Sequence, residues 1–302
     1  YPSNPLMGSV AEGYRYLAVA EAQGTAYLTS LNLSGIAAAR AAPVEVFLAG
    51  GDASDITYAN TVFANNSVYM EPPLFRPVLD GYVLPATYQE MLQQGNHTIA
   101  AVLTGGNRDE NGATPNPGMT VESYTRQNQY EFGSVGLADE FFRLYPAGNS
   151  NSSADAASNT FYQDQTRISL WEWANEYQAG VARNTSGNST VRTYTYYWTH
   201  APPGQDEGAY HMSEINYAFN NLYATDKPWK PEDYAIADRL SNYWVNFLRS
   251  GNPNGPELPD WPANDAAEPV VMELGDAWEP VLVASAEKRS FMNKWFSNWP
   301  VY

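Results

Sequence analysis

"TIAAVLTGG", residues 98–106, runs straight into "NRDENG", residues 107–112. The first piece is a compact apolar run between turn signals, the pattern of a buried parallel strand. A second strand is predicted in "TVRTYTYYWTH" (190–200), which alternates and is β-branched and aromatic. The segments "SYTRQNQYEFGSVGLADEFFRLYP" and "SADAASNTFYQDQTRISLWEWANEYQAGVA" read as largely helical. "PEDYAIADRLSNYWVNFLRSG" is the clearest helix: Pro231 suits its first position, Glu232 and Asp233 its first turn, and Gly251 stops it. "SEINYAFNN" reads as a short helix, "PVVMEL" and "PVLVAS" as short edge strands, and "AEKRSFMNKWFSNW" as a terminal helix. Strands separated by helices predict an α/β fold, a mostly parallel sheet flanked by helices.

Upstream of residue 98, "VAEGYRYLAVAEAQGTAYLTSLNL" has helical spacing with Gly24 as a break, and "DITYANTVFANN" reads as another helical piece. "PPLFRPVLDGYVLP" carries four prolines and a DG turn, so it is expected to be an extended crossing segment. "ATYQEMLQQGN" reads as a short helix closed by Gly95.

Composition narrows the function. With 302 residues, 44% of them hydrophobic and 16% charged, the chain is long and apolar enough to build a core. A net charge of −17 repels nucleic acid and anionic membranes, which excludes both as partners. No apolar run reaches transmembrane length. There is no cysteine, hence no disulfide, thiolate zinc site or cysteine nucleophile. The sequon N-x-[ST] occurs at Asn32, Asn65, Asn96, Asn151, Asn184 and Asn188. Together with the acidity and the Tyr/Trp richness, these sequons point to a secreted glycoprotein. The opening "YPSNPLMGSV" has neither the basic start nor the apolar core of a signal peptide and lacks an initiator Met, so it is read as a boundary left by processing or cloning.

Two chemistries compete for residues 104–112. Asn107, Asp109, Asn111 and Gly112 fall at the first, third, fifth and sixth places of a calcium loop. Such a loop needs a bidentate Glu at its twelfth place, and that place is Gly118. It also belongs between two helices, whereas this one leaves a predicted strand. No metal is therefore expected. The alternative is Glu110. Chemistry in α/β sheets sits beyond the carboxyl ends of strands, and His211, in "DEGAYHMSEINY", follows the second strand after a short loop. The carboxylate would fix one imidazole nitrogen and leave the other to act as general base. On the residues alone, a His beside an acidic loop is more often a solvated surface group.

A resemblance changes that weighting. "FRPVLDGYVLP" (75–85), "LTGGNRDENG", "YTYYWTHAPP", "GAYHMSEINYAF" and "LSNYWVNFLRSGNPN" resemble, in order, five segments of the second half of the type-B carboxylesterases, the family of the cholinesterases and the fungal extracellular esterases and lipases. The resemblance implies that Glu110, in a Gly-x-Asn-x-Asp-Glu stretch, is the acid of a Ser-Glu-His triad and His211, in Gly-Ala-x-His-x-x-Glu, the base. Three residues after His211, Glu214 is expected on the same face of a short helix, and the resemblance implies that it is a buried supporting group and that no cofactor is needed. It makes residues 1–302 the C-terminal part of one α/β-hydrolase domain.

One departure is large. The family's nucleophile is a Ser in a G-x-S-x-G elbow, and no such pentapeptide occurs in these 302 residues. The glycine-rich oxyanion loop is missing too. The expectation is a two-chain esterase in which an N-terminal companion chain, held non-covalently, supplies the Ser and the oxyanion donors. Activity on a neutral ester is then expected to fall as His211 takes up a proton. The rival function is a catalytically inactive cholinesterase-like adhesion or interaction module, which the retention of Glu110 and His211 disfavours. Lipase, feruloyl esterase, tannase-like and general carboxylesterase activities stay open. His200, at the end of a strand, reads as structural and His97, inside a sequon, as a solvated loop residue. The "LWEWANEY" stripe reads as core before it reads as the lining of a substrate gorge.

Overall fold

The computed structural model describes residues 15–48, 75, 77–114 and 118–297. Two compact units divide the chain near Met91 and Leu92. The first contains strand β1 (Arg15–Tyr16), helices α1 (Leu17–Ser30), α2 (Ile36–Ala41) and α3 (Glu45–Leu48), and strand β2 (Val78–Leu79), which pairs in parallel with β1. Helix α1 runs through Gly24 without a break. A single glycine costs a helix only about 1 kcal/mol, so it was the wrong place to end this one. The predicted DG turn forms: the Asp80 carboxylate accepts from the backbone N–H groups of Tyr82, Val83 and Leu84. The expected helix in "DITYANTVFANN" lies outside the described residues. Helix α4 (Tyr88–Gln94), followed by Gly95, leads into the second unit.

The second unit holds a four-stranded sheet in the order β3 (Val102–Asn107), β4 (Thr193–Trp198), β5 (Val270–Leu274), β6 (Pro280–Leu282). Strands β3, β4 and β5 are parallel, and β6 is antiparallel to β5. The strand expected at 98–106 is thus shorter and shifted towards Asn107. "PVVMEL", expected as an edge strand, is interior, because β6 folds back along it. All six residues of β4 are buried. Tyr194, Tyr196 and Trp198 form one core face with Tyr217, Leu240, Tyr243, Trp261 and Leu274. On the other face Tyr197 lies under the Arg167 guanidinium, 4.8 Å from the ring centroid. The side-chain period of two sends Tyr196 and Trp198 to one core and Thr193, Thr195 and Tyr197 to the other face, and both faces are buried.

Helices cover the sheet. They are α5 (Val121–Gly133), α6 (Ala138–Leu144), α7 (Asn151–Thr185), α8 (Ile215–Ala218), α9 (Pro231–Ser250) and α10 (Ala286–Ser297). Helix α7 starts at Ser150, whose hydroxyl accepts from Ser153 N–H, and continues for 35 residues. Helix α9 starts and stops as its caps predict, with Pro231 in its first turn and Gly251 left-handed at φ 74°. The faces of α5, α6, α7 and α10 meet in a cluster of aromatic rings. Phe132 stacks on Phe141 with centroids 4.2 Å apart, and Phe161, Phe291 and Trp295 pack around them. Full burial of each such ring contributes about 1.5–3 kcal/mol. Beside this cluster the buried Asp164 carboxylate takes Arg167 at 2.6 Å and Lys288 at 2.5 Å, tying α10 to α7.

The two glycines of "TGG" allow β3 to sit close to its neighbours. A Cβ on Gly105 would stand 2.3 Å from the Tyr196 ring, and one on Gly106 would stand 2.7 Å from the Thr166 methyl. Those positions admit no side chain, and their close packing delivers the end of β3 to the site.

Candidate active site

Because β3 and β4 run parallel in register, from Val102↔Thr193 to Asn107↔Trp198, their carboxyl ends lie at one edge of the sheet. The pairing carries on past the strands. Arg108 N–H donates to Trp198 O at 2.8 Å, and Asp109 N–H to Ala209 O at 3.1 Å. Asp109 and Tyr210 form an isolated parallel bridge. The next residue on each side is Glu110 and His211. Local backbone pairing between segments about a hundred residues apart thus sets this carboxylate beside this imidazole.

The pair is in hydrogen-bond contact: His211 Nδ1 lies 2.7 Å from Glu110 Oε2. A carboxylate only accepts, so Nδ1 carries the hydrogen and the neutral ring keeps its lone pair on Nε2. Glu110 is held from behind, with Asn107 N–H donating to its other oxygen, Oε1, at 2.8 Å. The Glu110 side chain is 12% exposed and that of His211 54%. A sheltered carboxylate thus faces an imidazole that is reachable from outside.

Glu214 sits differently from its expectation. Met212 has φ 68°, so the chain turns after His211, and α8 begins only at Ile215 with Glu214 as its N-cap. His211 and Glu214 therefore share no helix face, and the helix expected over "SEINYAFNN" shrinks to four residues. Glu214 Oε2 accepts from Asn107 Nδ2 at 2.7 Å, and Oε1 from the Tyr196 hydroxyl at 3.4 Å. Burial, with the Glu214 and Glu110 charges beside it, pushes the Tyr196 hydroxyl well above its ordinary range, which keeps it a donor.

Asn107 and Asp109, which the calcium pattern alone singles out, make other contacts. Asn107 is 2% exposed, and its amide also donates to Tyr210 O at 2.7 Å. Asp109 Oδ2 accepts from Ala209 N–H at 2.8 Å and from Arg108 Nε at 3.1 Å. Gly208 is left-handed at φ 72°, and a Cβ there would come within 2.3 Å of Asp109 Oδ2. No local signal marks these roles, because the partners are remote in sequence. Among the described residues no group of three or more His, Asp or Glu side chains gathers as a metal site would need.

The remaining histidines are structural. His200 lies between two carboxylates, Asp276 at 2.8 Å from Nδ1 and Asp233 at 3.0 Å from Nε2. Burial alone would raise Asp233, but the Tyr217 hydroxyl, the Lys230 N–H and His200 together hold its carboxyl below the usual range. His97 departs from the solvated-loop expectation: it stacks on Tyr177 at 4.4 Å, its Nε2 is buried, and a Cβ on Gly180 would come within 3.0 Å of it. Tyr177 in turn stacks on Trp173, and Trp171 is buried with its indole N–H on Asp265 O. The "LWEWANEY" stripe is packed along α7. Of the sequons, Asn32, Asn96, Asn151, Asn184 and Asn188 are exposed, and Asn65 lies outside the described residues. Asn184 also donates to Gly95 O at 2.8 Å. No helix among the described residues is long and apolar enough to cross a membrane.

Comparison with known proteins identifies the family. Residues 31–291 match the carboxylesterase family. The chain is 28% identical over 224 residues to the fumonisin B1 esterase of Sphingopyxis macrogoltabida, covering 70% of this chain and 39% of that protein. It is 25% identical over 232 residues to the acetylcholinesterase of Bungarus fasciatus, covering 71% and 37%. Over a shorter stretch of 80 residues it is 35% identical to carboxylesterase 4A of Bos taurus, covering 25% and 14%. The chain thus spans under two fifths of the length of these relatives. With most of its residues matched and a mostly parallel, helix-flanked sheet, the chain belongs to the carboxylesterase family and has an α/β-hydrolase fold.

Proposed function

We propose that this chain carries the acid and the base of a Ser-Glu-His carboxylic ester hydrolase, Glu110 as the acid and His211 as the base. The 2.7 Å contact between His211 Nδ1 and Glu110 Oε2 carries the reading. The serine of a G-x-S-x-G elbow and the oxyanion donors come from a segment outside these 302 residues, on an N-terminal companion chain bound non-covalently. Residues 1–302 then form the C-terminal part of one domain. Two features support an absent neighbour. Among the described residues β3 pairs with β4 alone, and an open strand edge is a template for further strands. Helices α1, α2 and α3 contain no buried residue although Leu17, Val19, Ile36 and Leu48 are large and apolar. Secretion as a glycoprotein follows from the sequons, five of which are exposed.

In the reaction the serine oxygen bonds to the ester carbonyl carbon as its proton passes to His211 Nε2. The carbon–oxygen bond to the alcohol then breaks, and His211 returns the proton to that oxygen. Water repeats both steps on the acyl-enzyme and restores the serine. Glu110 stabilises the imidazolium each time. A fluorophosphonate probe followed by intact-mass analysis of the native enzyme tests this. The adduct is expected on a serine outside these 302 residues, and labelling should slow by roughly 10⁴-fold in His211→Asn. An adduct on this chain, or unchanged labelling in that variant, refutes the assignment.

A further inference from the structure

Asn107 is not part of the acid–base pair, yet it touches both members' surroundings. Its backbone N–H takes Glu110 Oε1 at 2.8 Å, which leaves Oε2 facing His211. Its side-chain nitrogen lies 2.7 Å from Tyr210 O, on the residue before His211, and 2.7 Å from Glu214 Oε2, three residues after it. An amide nitrogen has two hydrogens, and these two short bonds use both. The third neighbour, Ser213 Oγ at 3.4 Å, instead accepts from Trp198 Nε1 at 3.1 Å. The amide orientation follows from the same count: turned over, its oxygen would face a carbonyl and a carboxylate, both acceptors.

We propose that Asn107 is the positioning residue that holds the His211 loop in register with Glu110. This rests on the acid–base reading of Glu110 and His211. The position suits the task. Asn107 is the last residue of β3, paired with Trp198, so its backbone is fixed by the sheet. Glu110 and His211 both sit on loops beyond the strands. Asn107 is the point at which the rigid sheet grips both loops at once. Glu214 is then an anchor on the His211 loop, held through Asn107. Asn107→Asp keeps the shape and removes both donors. It turns a carboxylate towards the Tyr210 carbonyl and the Glu214 carboxylate, and the loop must move away from them.

The test uses the complete esterase, nucleophile segment included, with p-nitrophenyl acetate as substrate. Asn107→Asp should lower kcat by roughly 100-fold with KM little changed, as expected for a misplaced reacting group. The acidic limb of its pH profile should move to higher pH, since the extra negative charge favours the imidazolium. In a Glu110→Gln background the same substitution should cost less than about threefold, because there is no longer a pair to position. Asn107→Ser, which keeps the backbone N–H and loses the span to Glu214, serves if the Asp variant does not accumulate, with the same non-additivity expected. Wild-type kcat in Asn107→Asp or Asn107→Ser overturns the proposal, and so do losses that multiply with Glu110→Gln. Full activity in Glu110→Gln and His211→Asn would instead overturn the acid–base reading beneath it.

Discussion

Gly105→Ala is the sharpest test of how β3 is seated. An added Cβ would lie 2.3 Å from the nearest Tyr196 ring atom, with two more ring atoms within 2.4 Å, whereas ordinary contact starts at 3.4 Å. The ring or the strand must give by about 1.1 Å to restore that contact. The ring has little room to move: it packs edge-on to Trp244 at 5.5 Å and to Trp261 at 6.3 Å, and its hydroxyl reaches Glu214. Overpacking a filled core costs about 1–3 kcal/mol. With so rigid a neighbour the upper end applies, about 3 kcal/mol, or roughly 6–12 °C in Tm for a unit of this size. Thermal unfolding followed by circular dichroism reads the effect. A Tyr196→Leu background removes the ring, and there the same substitution should cost less than about 1 kcal/mol. A Tm within about 1 °C of the parent, or an equal loss in both backgrounds, would show that Tyr196 is not the obstacle.

Burial pushes the Glu131 carboxyl on α5 up to about 7, from an ordinary value of 4.5. The folded state then binds more protons than the unfolded state between those values, so stability should fall as pH rises through that window. Because part of the side chain still meets water, the loss is about 1–2 kcal/mol. Glu131→Gln should recover it at pH 8 and gain nothing at pH 4, and equal urea midpoints for parent and variant at pH 8 would count against this. Asp164→Ala should destabilise by about 3–5 kcal/mol, since it leaves two cations without their shared carboxylate, and Lys288→Met by less, since Arg167 remains. Urea midpoints in the reverse order would sink that account of the α7–α10 tie.

Much of the second unit was readable from pattern. Helix α9 carries its own start and stop signals, and β3 and β4 stand out because apolar or aromatic runs between turn residues have few other uses. The failures share one cause. Gly24 and the ends of "SEINYAFNN" are places where local propensity misleads: the left-handed Met212, at φ 68°, lies two residues past the bridge of Asp109 with Tyr210. The interior place of "PVVMEL" depends on β6 folding back, a long-range event. His97 was read as solvated from its sequon, and the Tyr177 ring that covers it lies 80 residues away on α7.

The site divides in the same way. Sequence alone determined the residue types: a carboxylate and an imidazole, each just past a predicted strand, in segments that resemble those of one family. It also determined that these 302 residues hold no G-x-S-x-G serine, since a pentapeptide is a purely local pattern. Tertiary structure decided which atoms meet. Parallel register brings residue 110 beside residue 211, and it gives Asn107 and Asp109 hydrogen bonds to the backbone of Tyr210 and Ala209, next to His211. Glu214 grips Asn107 across the sheet edge, a contact set by backbone turns and hydrogen-bond geometry. Such contacts join residues a hundred positions apart, and no local pattern encodes a partner at that distance.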